Sequence, residues 1–123
     1  MKNRLLYAED DPIVRNALSQ LLALLGWEVT AEPHGAAALE RSSAEEFDLV
    51  LTDHHMPVAD GLELVHQLRA RKFPGRIFVI SGELEAEQQE EYLRLNVDQI
   101  LMKPITLAQL RSSIGAPASS IAA

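Results

Sequence analysis

Short apolar runs alternate along this chain with longer segments in which apolar residues return every three or four positions. That is the pattern of repeated β-α units around a parallel sheet. Leu5-Leu6-Tyr7-Ala8 reads as the first strand, with Asp11 placed to cap a helix and Pro12 to begin it. Val14, Ala17, Leu18, Leu21 and Leu25 then recur as one helical face, and Gly26 stops the helix. A less apolar strand over Glu28–Glu32 belongs near a sheet edge, and a second helix spans about 35–42. Residues 48–52 form the third strand. The third helix runs from Gly61 to about Arg71, capped by Asp60, with Leu64, Val65 and Leu68 inward. Pro74-Gly75 turns the chain into Arg76–Ser81, a run apolar enough to be buried on both faces. Residues 83–95, rich in Glu and Gln, offer only Leu84, Tyr92, Leu93 and Leu95 for packing, which predicts the loosest helix. The fifth strand is 98–102, and a short last helix over 106–114 is capped by Thr106. Trp27 reads as partly buried packing, and residues 115–123 as a mobile, linker-like tail.

Charged residues close three of the apolar runs: Glu9 and Asp10, then Asp53, then Lys103. In a parallel sheet the C-terminal ends of the strands share one edge, where open α/β folds bind ligands. Three carboxylates and one ammonium are therefore predicted to converge in one pocket. Carboxylates so close repel one another unless a cation joins them. An all-oxygen donor set favours a hard ion such as Mg²⁺, which takes one or two carboxylates and completes its shell with water and phosphate oxygens. Asp53 can also act as a nucleophile and accept a phosphoryl group. Lys103 would offset charge on the phosphoryl oxygens, and Ser81, at the end of the adjacent strand, would donate its hydroxyl.

Composition narrows the alternatives. At 123 residues the chain fits one domain, and 11 Lys and Arg against 18 Asp and Glu give a net charge of −7. An acidic chain without a basic stripe argues against direct nucleic-acid binding. With no cysteine, neither a disulfide nor a thiolate metal site is available. Met1-Lys2-Asn3-Arg4 precedes only four apolar residues, too few for the core of a signal peptide, and nothing approaches a membrane span, so a cytoplasmic location is expected. His54 and His55, with His34 or His66, raise the possibility of zinc. However, neighbouring loop residues point in different directions, and no spaced His pair supports tetrahedral ligation.

Five segments carry a family resemblance: Ala8-Glu9-Asp10-Asp11, Leu51-Thr52-Asp53-His54-His55-Met56-Pro57, Asp60-Gly61, Ile80-Ser81-Gly82 and Met102-Lys103-Pro104. In this order and spacing, over about Arg4 to Ile114, the chain resembles response-regulator receiver domains. The resemblance implies a flavodoxin-like (βα)5 doubly wound parallel five-stranded sheet of order 2-1-3-4-5, with two helices on one face and three on the other. It implies a receiver domain over residues 1–114, with 115–123 as a tail. In function it implies two-component or phosphorelay signalling, with Asp53 as phosphoacceptor for a histidine kinase or histidine phosphotransfer protein. Glu9, Asp10, Asp53 and the backbone carbonyl of His55 would hold Mg²⁺. Ser81 would bind the phosphoryl group, Lys103 would pair with it, and the Lys103–Pro104 bond would be cis. The face built by the fourth helix, fifth strand and fifth helix would switch its affinity for a protein target, making the chain a signalling module and not an enzyme.

Two departures stand out against that family. Ile100 occupies a position where receivers commonly carry Tyr or Phe, and His55 one where Asn is common. Together with Glu83, His55 would flank the phosphoryl group. Two other readings use the same residues: a constitutive interaction module without phosphoryl chemistry, and a Mg²⁺-dependent phosphatase. The last calls for a carboxylic acid where this chain has His55.

Overall fold

The apolar runs pair side by side, and the amphipathic runs between them return as helices over the sheet. The computed structural model describes residues 3–117. Strands β1 (Arg4–Ala8), β2 (Glu28–Glu32), β3 (Leu49–Asp53), β4 (Arg76–Ser81) and β5 (Gln99–Met102) alternate with five helices. These are α1 (Pro12–Leu24), α2 (Gly35–Ala44), α3 (Gly61–Ala70), α4 (Ala86–Arg94) and α5 (Leu107–Ser113). All neighbouring strands are parallel, in the order β2-β1-β3-β4-β5, which is the predicted doubly wound topology.

Successive strand residues face opposite sides, so the sheet supports two cores. Leu6, Val50, Ile77 and Val79 pack beneath Ala38 of α2, Leu64, Val65 and Leu68 of α3 and Tyr92 of α4. On the other face, Leu5, Tyr7, Leu49, Leu51 and Phe78 meet Leu18 and Leu22 of α1 and Leu110 of α5. The three-and-two division of helices follows. Strand β3 is buried throughout and β2, at the edge, is half exposed, matching their apolar content.

The caps read from the sequence are in place. Asp11 accepts hydrogen bonds from the amides of Ile13 and Val14, Asp60 from that of Glu63, and Thr106 from that of Gln109. Two strands start one residue later than predicted, and the acids before them tie the strand starts together through side chain as well as backbone. Asp48 accepts from the Arg4 amide at 3.1 Å, and Asp98 from the Ile77 amide at 2.7 Å.

Three expectations need correction. Helix α4 starts at Ala86, not at residue 83. The Ser81 hydroxyl donates to the Glu83 carbonyl at 2.7 Å and accepts from the Glu83 amide at 3.1 Å, which holds this stretch in a turn. Helix α1 is rotated from the predicted face: Leu18 and Leu22 are buried and Leu21 and Leu25 half-buried, while Val14 and Ala17 are exposed. They line an open, mostly apolar hollow of about 580 Å³ with Leu21, Lys103 and Ile105. Ile13 and Leu24 are exposed as well, so the helix is apolar on more than one side and spacing alone does not set its rotation. Finally, Trp27 is buried, and its indole N–H donates to the Gly115 carbonyl at 2.8 Å. Gly115, at φ 71°, closes α5 by donating its backbone N–H to the Leu110 carbonyl in a hydrogen bond. Residues 118–123 of the predicted tail lie outside the described residues. Among the described residues, no helix is long and apolar enough to cross a membrane.

Val58, in the loop after β3, has φ 70° and a wholly exposed side chain. A β-branched residue in this left-handed region is strained. Val58→Asn, which tolerates the conformation and sacrifices no packing, should raise stability by about 1 kcal/mol. A lower urea midpoint in the variant would contradict this.

Candidate functional site

The turn after β1 is built to present two carboxylates differently. The Glu9 amide donates to the Glu32 carbonyl at 3.0 Å, extending the sheet contact one residue past the strand. The Glu9 side chain turns inward: Oε2 accepts from the Asp11 amide at 3.1 Å, and the Tyr7 hydroxyl lies 3.5 Å from Oε1. Arg15, one turn into α1, donates to the carbonyls of Glu9 and Asp10 at 2.8 and 3.4 Å and props the turn from outside. As a result Glu9 is buried and Asp10 exposed.

Asp53 ends β3 between β1 and β4 and is only 2% exposed. One carboxylate oxygen from each of Glu9, Asp10 and Asp53 can be chosen so that all lie within 4.8 Å of one another. Lys103 enters from β5, where its amide bonds the Ser81 carbonyl at 2.9 Å and its Nζ donates to Asp53 Oδ2 at 3.3 Å. The bond from Lys103 to Pro104 is cis, as the resemblance implies. The other Asp53 oxygen, Oδ1, is buried without a hydrogen-bond partner.

That orphaned oxygen matters, since a buried acceptor left unpaired costs about 1–3 kcal/mol. The pocket's charge balance points the same way: three carboxylates face a single close ammonium. Glu9 registers the strain. Burial, reinforced by the charge of Asp53, pushes its carboxyl up to about 7 despite the hydrogen bond from the Asp11 amide. Burial, and then the charges of Glu9 and Asp53, also drive the Tyr7 phenol far above its ordinary range. A divalent cation bound by oxygens would answer all of these: it would partner Oδ1, offset the excess charge and let Glu9 ionise. The donor set fits Mg²⁺.

The remaining predicted residues are placed as follows. Ser81 is fully buried at the end of β4, next to Asp53 in the sheet, with its hydroxyl engaged by Glu83. His55 is exposed and its Nε2 lies 3.3 Å from the Glu83 carbonyl, so the two residues expected to flank the site are in contact. Zinc finds no support among the described residues. His34 caps α2 through Nδ1, His66 pairs with Glu91 at 3.1 Å, and the acidic cluster contains no histidine.

One contact lay beyond sequence reasoning. His54, the residue after Asp53, is buried, and its Nδ1 lies 2.6 Å from the hydroxyl of Tyr92 on α4. Burial holds the His54 imidazole below its usual range, hence neutral and able to accept the phenol's proton in a hydrogen bond. The available signal was Tyr92 itself, the one aromatic in a polar helix, since a buried Tyr hydroxyl requires a partner.

A doubly wound parallel sheet with an acidic pocket at the C-terminal ends of β1 and β3 and a lysine after β5 marks an open α/β domain with its charged site at the ligand-binding edge. A sequence model of the family described as "Response regulator receiver domain" matches residues 5–115, and the chain belongs to that family. It is 34% identical over 113 residues to the sensor protein EvgS of Escherichia coli O157:H7, a match that covers 92% of this chain and 9% of that protein. It is 33% identical over 113 residues to the transcriptional regulatory protein PrrA of Mycobacterium tuberculosis, covering 92% of this chain and 48% of the relative. The chain thus spans less than half the length of these relatives. A receiver domain from Methanospirillum hungatei superimposes with a TM-score of 0.86 at 25% identity, over 90% of this chain and 89% of that one. A receiver protein from Pseudomonas putida gives a TM-score of 0.86 at 25% identity, over 93% and 96%. This is a receiver domain, similar to segments of a sensor protein and of a transcriptional regulatory protein.

Proposed function

We propose that Asp53 is the phosphoacceptor and that a histidine kinase or histidine phosphotransfer protein supplies the phosphoryl group. The observation that carries this is the Asp53 carboxylate: buried, gripped by Lys103 through Oδ2 and left unpartnered at Oδ1. In the transfer, an Asp53 oxygen forms a P–O bond as the P–N bond of the donor's phosphohistidine breaks, and the bonding electrons leave with the imidazole. Lys103 offsets charge on the phosphoryl oxygens, and Ser81 turns its hydroxyl from Glu83 toward them. Glu9, Asp10, Asp53 and the His55 carbonyl would hold Mg²⁺, which supplies charge neutralisation of the phosphoryl oxygens when bound.

The chain's role is then that of an acceptor and switch, not an enzyme that turns substrate over. Residues 1–114 form the receiver in this reading and 115–123 a tail. We take the output surface to be α4, β5 and α5, reading out to a protein partner in the cytoplasm, without direct contact to nucleic acid or membrane. Exposed Leu93 on α4 and Met102 on β5 support a protein-binding face there. The acidic net charge of −7 supports a protein over a nucleic-acid partner.

Incubating the protein with Mg²⁺ and acetyl phosphate should add one phosphoryl group to the intact mass. EDTA or Asp53→Asn should abolish the adduct. Equal labelling of Asp53→Asn would rule out Asp53 as acceptor, and no labelling of the wild type would favour a constitutive interaction module.

A further inference from the structure

Helix α4 is polar along most of its length, and Tyr92 is its one fully buried side chain. The hydroxyl of that residue does not end in the apolar core. It reaches past α3 to His54 Nδ1, 2.6 Å away, with the two rings edge to face at 5.5 Å between centroids. His54 has little freedom to adjust. Its amide donates to the Ile80 carbonyl at 2.8 Å, and its carbonyl accepts from the Gly61 amide at 2.9 Å. Space around the contact is also exhausted. A Cβ on Gly61 would lie 2.6 Å from the Asp53 carbonyl oxygen and 2.8 Å from the Tyr92 hydroxyl. The backbone of Asp53, the start of α3 and the tip of Tyr92 therefore meet at one point with no room for a methyl group.

Resting on the reading of Asp53 as phosphoacceptor, we propose that His54 and Tyr92 are positioning residues that couple α4 to the state of Asp53 through their hydrogen bond. A phosphoryl group on Asp53 adds bulk and charge one residue before His54, at the strand end whose backbone His54 shares. Packed interiors pass such a displacement on, because they repack between discrete arrangements and do not deform smoothly. The only buried anchor of α4 sits on the receiving side. Ile100, on β5, is a partly buried aliphatic packed against the same core as Tyr92, so β5 itself offers no aromatic ring for this purpose. The bond's function is to make the position of α4 depend on Asp53, which biases a two-state equilibrium of the output face.

The test uses beryllofluoride with Mg²⁺ as the phosphoryl mimic and amide spectra of the whole chain, comparing wild type with Tyr92→Phe, His54→Phe and His54→Asn. Wild type should show changed amides around Asp53 and Ser81 and along α4, together with a changed His54 Nδ1 resonance. Tyr92→Phe and His54→Phe should keep the changes around Asp53 and Ser81 and lose those along α4. His54→Asn, which offers an oxygen acceptor where Nδ1 stood, should restore the α4 response; a side chain that merely filled space would not need that atom. Should Tyr92→Phe fail to fold, His54→Phe carries the comparison. An α4 response in both Phe variants equal to wild type would overturn the coupling, as would its loss in His54→Asn. If wild type shows no change around Asp53, the phosphoacceptor reading fails, and the coupling with it.

Discussion

Metal-free protein should lose stability as the pH rises from about 4.5 to about 7, and Glu9→Gln should remove that loss. The Glu9 carboxyl sits at about 7 in the fold against 4.5 for an ordinary glutamate. Between those values the folded state holds a proton that the unfolded chain has released, so raising the pH favours unfolding. The stability is fully present below about 4.5 and is lost as the pH passes 7. Each pH unit across this window corresponds to about 1.4 kcal/mol, for a total on the order of 3 kcal/mol at a residue that is 3% exposed. Because other carboxylates titrate nearby, the informative quantity is the difference between wild type and Glu9→Gln in urea unfolding across the range, in EDTA. Mg²⁺ should reverse the effect, since binding requires the ionised carboxylate. Its affinity should therefore climb from pH 6 to 8 and level off above the Glu9 transition. Parallel stability profiles for the two proteins would mean that Glu9 is not strained in the way its surroundings suggest.

Lys103→Met should slow phosphoryl uptake from acetyl phosphate by about 100-fold, the scale for removing one preorganised charge from a transfer site, while Mg²⁺ binding should hold or tighten. The two effects have opposite signs for one reason. Nζ lies 3.3 Å from Asp53 Oδ2, so in the unmodified protein it competes with any cation for that carboxylate. In the proposed transfer it would be the charge that the incoming phosphoryl oxygens meet. Methionine retains the apolar stem that lines the hollow beside α1 but lacks the ammonium. A time course of intact mass and a calorimetric Mg²⁺ titration separate the two. A rate unchanged from wild type would remove Lys103 from the chemistry, and weakened Mg²⁺ binding would show that its role is to shape the pocket.

The strands and the acidic pocket were legible in the sequence because both follow from short-range rules. Leu49–Asp53 and Arg76–Ser81 are apolar runs long enough only for buried strands, and a charged residue at the end of a parallel strand can lie only at the sheet's ligand-binding edge. Caps such as Asp11, Asp60 and Thr106 are local as well. What escaped depends on relations across the fold. The rotation of α1 could not be fixed because Ile13, Val14, Leu18, Leu22 and Leu24 surround the helix with apolar side chains. The start of α4 was hidden because Ser81 takes up the Glu83 backbone, a competition that residue order alone does not reveal. The His54–Tyr92 contact joins residues 38 positions apart on elements that are not neighbours in the chain. The strain at Val58 is a matter of backbone shape, which a valine gives no reason to expect.

Glu9 and Asp10 hang from β1, Asp53 from β3 and Lys103 from β5, so no stretch of sequence holds the pocket by itself. Asp53 meets Glu9 and Asp10 when β1 pairs with β3, but it meets Lys103 only once β5 has docked against β4. On the proposed reading of Asp53, a copy whose β5 has not docked lacks the ammonium that transfer would use, so a signal would be written efficiently only onto molecules that have finished folding.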